Sequence, residues 1–290
     1  MNEPTVIRPH ETDLELRQVD FDAIAEIAHR EFGLSLSPSK RQLVQSRLSR
    51  RVRALGLANF ADYRSLLEGP NRGTEQTELL SALTTNVTKF FREIHHFERL
   101  RDDIMPDLVL RARKGERIRI WSAGCSSGQE PYSIALTALK CDPNIGATDF
   151  KILATDIDPA VLSKAQAALY RDEEIEGVPQ SLFRPQDISH NPDGKSGEFT
   201  VSSDVRSLIT FGVINLISKL PFSGGFNVIF CRNVAIYFDR RTQQEVWRKF
   251  ANLLPEGGSL FIGHSERINK SDNADLETDG ITIYRKLNAI

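Results

Sequence analysis

From Arg117 onward the chain alternates short, continuous apolar runs with amphipathic stretches. Ile118–Ala123 is followed by a helical pattern from about Glu130 to Leu139, and Phe150–Asp156 by another over Pro159–Ala168. Runs at Phe226–Cys231 and Ser259–Gly263 flank a helical stretch from about Arg240 to Leu254, and Ile281–Leu287 reads as a last strand. Short apolar strands alternating with helices predict an α/β fold, a doubly wound parallel sheet with right-handed crossovers. The first hundred residues follow a different period. Phe21, Ile24, Ala25, Ala28 and Phe32 recur at helical spacing behind a candidate cap, Asp20, and stop at Gly33. Ser37-Pro38 offers a cap and a first-turn proline for a helix that Gly56 closes. Phe60–Leu67 is a short helix stopped by Gly69-Pro70, and LTTNVTKFFREIHHFERL leads from an extended polar stretch into a helix ending near Arg113. Between about Tyr170 and Val205 the alternation lapses. GEFTVSSDVRSLITFGVINL then reads as short strands around a turn at Ser203-Asp204, a small β insertion. The expected organisation is an all-helical N-terminal domain over 1–85, a linker helix over 86–115, and an α/β domain over 116–290 with a β subdomain at about 170–210.

Composition narrows the class without naming it. A net charge of -2 over 290 residues makes no global case for nucleic acid. The three cysteines are scattered, with no CxxC pair, so neither a disulfide framework nor a zinc site is expected, and a reducing cytoplasm fits. The apolar runs are too short to span a bilayer and MNEPTVIRPHETDLE has no apolar signal region, so a cytoplasmic protein with no direct membrane insertion is expected.

The chemistry gathers at strand ends. In IRIWSAGCSSGQEPY a strand runs into Gly124–Gly128 and then a helix, the arrangement that binds nucleotide-like ligands at the carboxyl edge of an open sheet. Glycines there let backbone approach a ligand closely. Asp156 ends the second strand, Asn215 the third and Arg232-Asn233 the fourth, so all four positions share one crevice. Asp156 is read as the acceptor for a ribose diol and Asp158 as the cap of the helix that Pro159 opens. No phosphate-binding lysine follows the loop, which removes a Walker site. The loop is formally G-x-S-x-G, and with Asp156 or Asp158 and His264 it has the chain order of a serine esterase. That alternative lacks an HGGG-type oxyanion motif, its acid follows the elbow too soon, and Arg232-Asn233 would have no role.

NLLPEGGSLFIG (Asn252–Gly263) is similar to the segment that precedes the fifth strand of class I methyltransferases. Ser122 stands where those enzymes usually place an acid, and Ser126 replaces a middle glycine. Glu130 is the substitute expected to pair the methionine ammonium of S-adenosylmethionine; as an anion at a helix start it is also favourable in itself by about 0.3–1 kcal/mol. TTNVTKFFRE, SAGCSSGQEPYSIA, ATDID, FCRNVAIYFD and GHSE together resemble the CheR-type chemotaxis receptor methyltransferases, in order and over almost the whole chain. Ala235 and Gln129 are mild departures. The resemblance implies methyl transfer from S-adenosylmethionine to glutamates on the cytoplasmic helical bundle of chemoreceptors, giving γ-methyl esters and S-adenosylhomocysteine. It implies cofactor contacts at Asn86, Thr88, Arg92, Glu130, Asp156, Asn215, Leu216, Arg232 and Asn233. It also implies a cytoplasmic enzyme recruited to membrane receptor arrays, in some members through a receptor C-terminal peptide on the β insertion. A cofactor-binding receptor scaffold without catalysis is the remaining alternative.

A glutamate is ionised at pH 7, so methylating it needs alignment and exclusion of water but no general base. Arg232 is expected to hold that carboxylate and Tyr237 to add a phenolic hydrogen bond, unless Tyr237 is a core residue. Asn86, Thr88 and Arg92, interleaved with Phe90 and Phe91, are expected to form a lid. Phe32–Ala61 holds six basic residues and no acid. On its helix Leu43, Val44, Leu48, Val52 and Leu55 form the expected apolar stripe, with Lys40, Arg47, Arg50 and Arg51 in an arc of roughly 100° beside it. This basic face is the expected contact for an acidic receptor helix; no aromatics interleave with it as nucleic acid would want. His95 and His96 are adjacent, diverge by about 100° on a helix and are not expected to share a metal.

Overall fold

The computed structural model describes residues 14–70, 72–190, 197–222, 224–271 and 273–287. Residues 1–13, on which the absence of an apolar leader was read, lie outside them. The chain divides into two compact units between Thr85 and Asn86.

The first unit is helical: α1 (Gln18–Phe32), α2 (Arg41–Ala54), α3 (Phe60–Glu68) and α4 (Arg72–Leu83). Gly33 ends α1 in the left-handed conformation with its N–H returned to the helix, as its position predicts. Asp20 is not the cap. The cap position is Arg17, and Asp20 lies buried in the first turn, paired with Arg17 at 2.8 Å and Arg64 at 3.2 Å. Nor does the Ser37 side chain cap; its hydroxyl meets that of Ser39, and Pro38 opens a 3-10 turn that runs into α2.

Helix α4 has no counterpart in the sequence reading, and it redefines the basic face of α2. Its buried positions are Leu79, Leu80 and Leu83 together with Glu75 and Gln76, so its apolar pattern is incomplete. Arg51 supplies what Glu75 needs, a two-pronged ion pair at 2.6 and 2.9 Å, and reaches Glu78 at 3.3 Å. Gln76 donates to the Leu67 carbonyl at 3.0 Å. Arg47 caps the end of α4 through the carbonyls of Leu83 (2.6 Å) and Thr84 and the Thr85 hydroxyl (2.7 Å). Arg47 and Arg51 are therefore corrected from partner contacts to internal ties, while Lys40 and Arg50 are exposed. The apolar stripe is also narrower than expected. Val44, Leu48 and Val52 are buried, but Leu43 is 50% exposed because about 100° per residue carries it to the Arg50 side of the helix.

In the second unit α5 (Ile94–Arg99) and α6 (Met105–Arg113) are joined by a π-helical turn, Leu100–Ile104, where one continuous helix was expected. Then come β1 (Ile118–Ala123), α7 (Gln129–Cys141), β2 (Phe150–Asp156), α8 (Pro159–Ala167), β3 (Leu169–Arg171), β4 (Ile188–His190), β5 (Glu198–Val201), α9 (Ser203–Ser207) and β6 (Ile209–Val213). The chain finishes with β7 (Val228–Cys231), α10 (Arg240–Leu253), β8 (Ser259–Ile262), β9 (Leu276–Thr278) and β10 (Ile283–Lys286). The turn expected at Ser203-Asp204 is instead α9, capped by the Ser202 hydroxyl, which accepts from the Val205 N–H.

The seven-stranded sheet has the order β6-β2-β1-β7-β8-β10-β9. Strands β6, β2, β1, β7 and β8 are parallel and β10 runs against both its neighbours. Alternation along the strands separates two cores. Ile118, Ile120, Val228, Phe230 and Phe261 pack on the face that carries α5, α6 and α7. Trp121, Ile229, Cys231, Leu260 and Ile262 pack with Val246, Trp247 and Phe250 of α10 on the other. Strands β3, β5 and β4 form a separate antiparallel sheet with β5 in the centre. Among the described residues no helix is long and apolar enough to cross a membrane.

Candidate active site

The strand order turns back at β1, which has β2 on one side and β7 on the other, so a crevice opens at their carboxyl ends. The glycine loop lies there. Gly124 (φ 85°), Ser126 (φ 50°) and Gly128 (φ 98°) are left-handed, and the Gly124 and Cys125 N–H groups both bond the Thr155 carbonyl of β2. The two glycines are required by protein neighbours. A Cβ on Gly124 would stand 2.2 Å from Val234 Cγ2, and one on Gly128 2.7 Å from the Tyr170 hydroxyl and 2.9 Å from Ala165 Cβ. Close backbone packing thus explains them before any ligand does.

Asp156 and Asp158 divide their work. Asp158 Oδ1 accepts from the Ala160 N–H and caps α8, as expected. Asp156 accepts from the Ser126 N–H at 2.8 Å and the Asp158 N–H at 3.0 Å, one to each oxygen. Those bonds aim the carboxylate but leave each oxygen a second lone pair. Burial raises the Asp156 carboxyl above its usual range, and the backbone N–H groups oppose it. On the next strand out, the Ile214 N–H bonds the Asp156 carbonyl, and Asn215 turns the chain by accepting the Ile217 N–H on its side-chain oxygen at 3.1 Å. Leu216 beside it is buried.

Glu130 is held at the end of β1 by the residue that replaces the acid. The Ser122 hydroxyl donates to Glu130 Oε1 at 2.7 Å. Arg232 lies 3.3 Å from Glu130 Oε2 and 3.3 Å from Glu93 Oε2, donates to the Arg92 carbonyl, and stacks over the Phe97 ring at 5.7 Å. Its side chain is only 2% exposed. The expectation that Arg232 receives the substrate carboxylate is therefore corrected: the guanidinium is buried and already shared between two carboxylates and a carbonyl. Burial raises Glu130, opposed by Arg232 and Ser122. Burial also pushes on Glu93, but the Arg232 charge and the His264 hydrogen bonds outweigh it and hold that carboxyl below its usual range.

Glu93 was absent from the expected site, although it ends the TTNVTKFFRE segment. It follows Phe91 (φ 53°) in a doubly left-handed stretch, Glu93 itself at φ 58°, which folds the carboxylate back onto Arg232. Phe90 packs edge-on against Tyr170 at 4.9 Å, Phe91 against Phe97 at 5.1 Å, and the Phe91 N–H bonds the Ser133 hydroxyl. These anchors fix 86–93 across the strand ends, with Asn86 exposed and Thr88 and Arg92 half-buried. The Ser126 hydroxyl donates to the Asn86 carbonyl, and His264 Nδ1 meets Glu93 at 3.1 Å, so the serine-esterase alternative has no serine–histidine pair.

His95 and His96 do converge, contrary to expectation. With Glu93 they bring one ligand atom each to within 4.8 Å of one another. His96 Nε2 faces the Ile281 carbonyl and Thr282 hydroxyl, and burial, then Arg232, hold this histidine neutral. A cation there would face the Arg232 guanidinium across Glu93. The remaining edge residues ride on one carboxylate. Glu266, buried, accepts the N–H groups of Asn233 (3.1 Å), Ile236 (3.2 Å) and Gly263, which fixes left-handed Asn233 (φ 59°) and the 3-10 turn carrying half-buried Tyr237.

Two family models match the chain: CheR methyltransferase, SAM binding domain, over residues 86–284, and CheR methyltransferase, all-alpha domain, over residues 19–84. The probable chemotaxis protein methyltransferase of Rhizobium etli is 51% identical over 253 residues, 87% of this chain and 94% of that protein. The chemotaxis protein methyltransferase of Escherichia coli is 41% identical over 273 residues, 93% and 92% of the two chains. That of Borreliella burgdorferi is 36% identical over 267 residues, 91% and 93% of the two.

Proposed function

The chain belongs to the CheR methyltransferase family, and from that premise we propose that it methylates glutamate side chains of chemoreceptors with S-adenosylmethionine, forming γ-methyl esters. The observation that carries the site assignment is the Ser122–Glu130 bond, which returns a carboxylate to the end of β1, where this chain has no acid of its own. The residues present fit the cofactor: Glu130 for the ammonium, Asp156 for the ribose diol, Asn215 and Leu216 at the edge beyond, and Asn86, Thr88, Arg92 and Asn233 around the methionine end. When bound, S-adenosylmethionine supplies a methyl group on a cationic sulfur. The chain's own task is to aim an ionised glutamate at it and keep water away. Arg232 serves by fixing Glu130, Glu93 and the Arg92 carbonyl, and Tyr237 by a phenolic hydrogen bond to the incoming carboxylate.

Binding of S-adenosylhomocysteine, measured by calorimetry, tests the assignment. Asp156→Ala removes a charged acceptor from the ribose at about 1.5–3 kcal/mol, so affinity should fall roughly tenfold or more. Unchanged affinity in the folded variant would remove Asp156 from the cofactor. Methyl transfer to receptor-enriched membranes separates an enzyme from a binding scaffold.

The receptor contact is assigned to the exposed basic residues of this face, Lys40 in the 3-10 turn before α2 and Arg50 on α2, which no described residue of the first unit ties down as α4 ties Arg47 and Arg51. Reversing both charges should raise the apparent KM for receptor and leave S-adenosylhomocysteine affinity intact. Wild-type methylation should slow as salt shortens the screening length below about 8 Å. Equal KM in mutant and wild type would make the face ordinary solvated surface. Recruitment to receptor arrays is assigned to a receptor C-terminal peptide adding to an outer strand, β3 or β4, of the small sheet.

A further inference from the structure

Lys249 takes no part in the site described above, yet it touches the turn on which the cofactor's far end is placed. It projects from α10 and its ammonium donates to three successive carbonyls, Leu216, Ile217 and Ser218, each at 2.8 Å. An ammonium has three protons, and here all three converge on one turn. The opposite side of the same peptides is also engaged. The Ile217 N–H is accepted by the Asn215 side-chain oxygen at 3.1 Å and the Ser218 N–H by the Asn215 carbonyl at 3.2 Å. Because a peptide is planar, with its C=O and N–H pointing opposite ways, the two planes across 216–218 are held from both sides. The turn is further tied to β2 by the Ile214 N–H on the Asp156 carbonyl at 3.1 Å.

This arrangement is costly for the lysine. Burial lowers its pKa, only partly offset by Glu245 one turn back on α10. Lysine most often keeps its head in water, and a loop that needed only closing would not require three charged hydrogen bonds. What the bonds secure is the angle at which Asn215 and Leu216 stand beside Asp156. We propose that Lys249 is a positioning residue for cofactor binding, clamping the 215–218 turn so that Asn215 and Leu216 meet the nucleoside end of S-adenosylmethionine. The inference rests on the reading that Asn215 and Leu216 contact the cofactor.

In the full chain, Lys249→Met keeps an unbranched stem of similar length and removes the donors. The dissociation constant for S-adenosylhomocysteine should rise about tenfold and KM for S-adenosylmethionine with it, while kcat at saturating cofactor stays within about twofold. Lys249→Arg should recover most of the affinity, because the charge and several donors return. Lys249→Gln, which retains one amide donor group, is the second variant should methionine not fold, and its affinity should fall between wild type and that loss. A merely structural lysine would lower the melting temperature without moving KM against kcat. Asn215→Ala separates this inference from the reading beneath it. Weakened binding in Asn215→Ala with wild-type binding in the Lys249 variants overturns the clamp alone. Wild-type binding in Asn215→Ala overturns the placement of the cofactor on this turn, and the clamp with it. A fall in kcat at unchanged KM in Lys249→Met also overturns the clamp.

Discussion

Replacing Arg232 by methionine is expected to abolish methyl transfer and cofactor binding together. The guanidinium is the shared counter-charge of Glu93 and Glu130, each 3.3 Å away, and both carboxylates are nearly buried. Removing one partner of a buried ion pair costs about 3–5 kcal/mol, because the remaining charge has neither water nor a partner. Here two charges are stranded, and one of them is the acid assigned to the cofactor's ammonium. The loss should exceed roughly a hundredfold in affinity for S-adenosylhomocysteine, with Glu130 protonating to escape the penalty. The Arg92 carbonyl loses its donor in the same step, so 86–93 should loosen over the strand ends. Arg232→Lys should be intermediate, since a single ammonium cannot present the planar fork that meets two carboxylates and a carbonyl. Calorimetry and initial rates on folded variants measure this. A methionine variant within tenfold of wild type in both would show that Glu93 and Glu130 do not depend on the arginine.

The parts of this site that were legible in the sequence are those set by local pattern. Asp156, Asn215 and Arg232-Asn233 each stand just past an apolar run, and a parallel sheet places such positions along one edge whatever the rest of the chain does. The Asp158 cap followed from Pro159 in the same local way. What was not legible depends on partners distant in sequence. Glu93 becomes part of the site only because the chain turns left-handed at Phe91 and Glu93 and returns its carboxylate to Arg232, far along the chain. Arg232 was read as a hand for substrate because nothing local shows that it is buried between two acids.

Helix α4 illustrates the same limit in the fold. Its buried face contains Glu75 and Gln76, polar residues that are acceptable there because Arg51 and the Leu67 carbonyl satisfy them. Hydrophobic periodicity cannot register a face completed by an ion pair. The partners of Arg47 and Arg51 lie on and just after that helix, so the local pattern of α2 leaves both arginines without them. Asp20 was mistaken for a cap for a like reason: Arg64, which pairs with it, belongs to another helix. Local rules also found the glycines, but not the close protein neighbours that demand them. Gly124 and Gly128 are required by Val234, Tyr170 and Ala165.

Glu266→Gln, although isosteric, is expected to cost more than a hundredfold in methyl transfer. Both oxygens of Glu266 accept backbone N–H groups: Oε1 takes Ile236, and Oε2 takes Asn233 and Gly263. A glutamine has one oxygen and one NH2 group, so in either orientation the NH2 must face an N–H donor. Turned one way it opposes Ile236; turned the other it opposes Asn233 and Gly263. Each hydrogen bond to a charged group is worth about 1.5–3 kcal/mol, and a buried donor left facing a donor adds its own penalty. The strain falls where it matters most. Asn233 is held left-handed at φ 59°, and a Cβ at Gly263 would stand 2.7 Å from the Asn233 amide, so the loop has no slack on that side. Relief must come by moving 232–237, which carries Arg232, Asn233 and Tyr237. Glu266→Ala should do no better than glutamine, whereas Glu266→Asp, charged but shorter, should keep part of the activity. The melting temperature of each variant, read beside kcat and S-adenosylhomocysteine affinity, separates a displaced loop from an unfolded protein. A folded Glu266→Gln enzyme with near wild-type kcat would mean that the Arg232–Tyr237 turn holds its shape without the carboxylate.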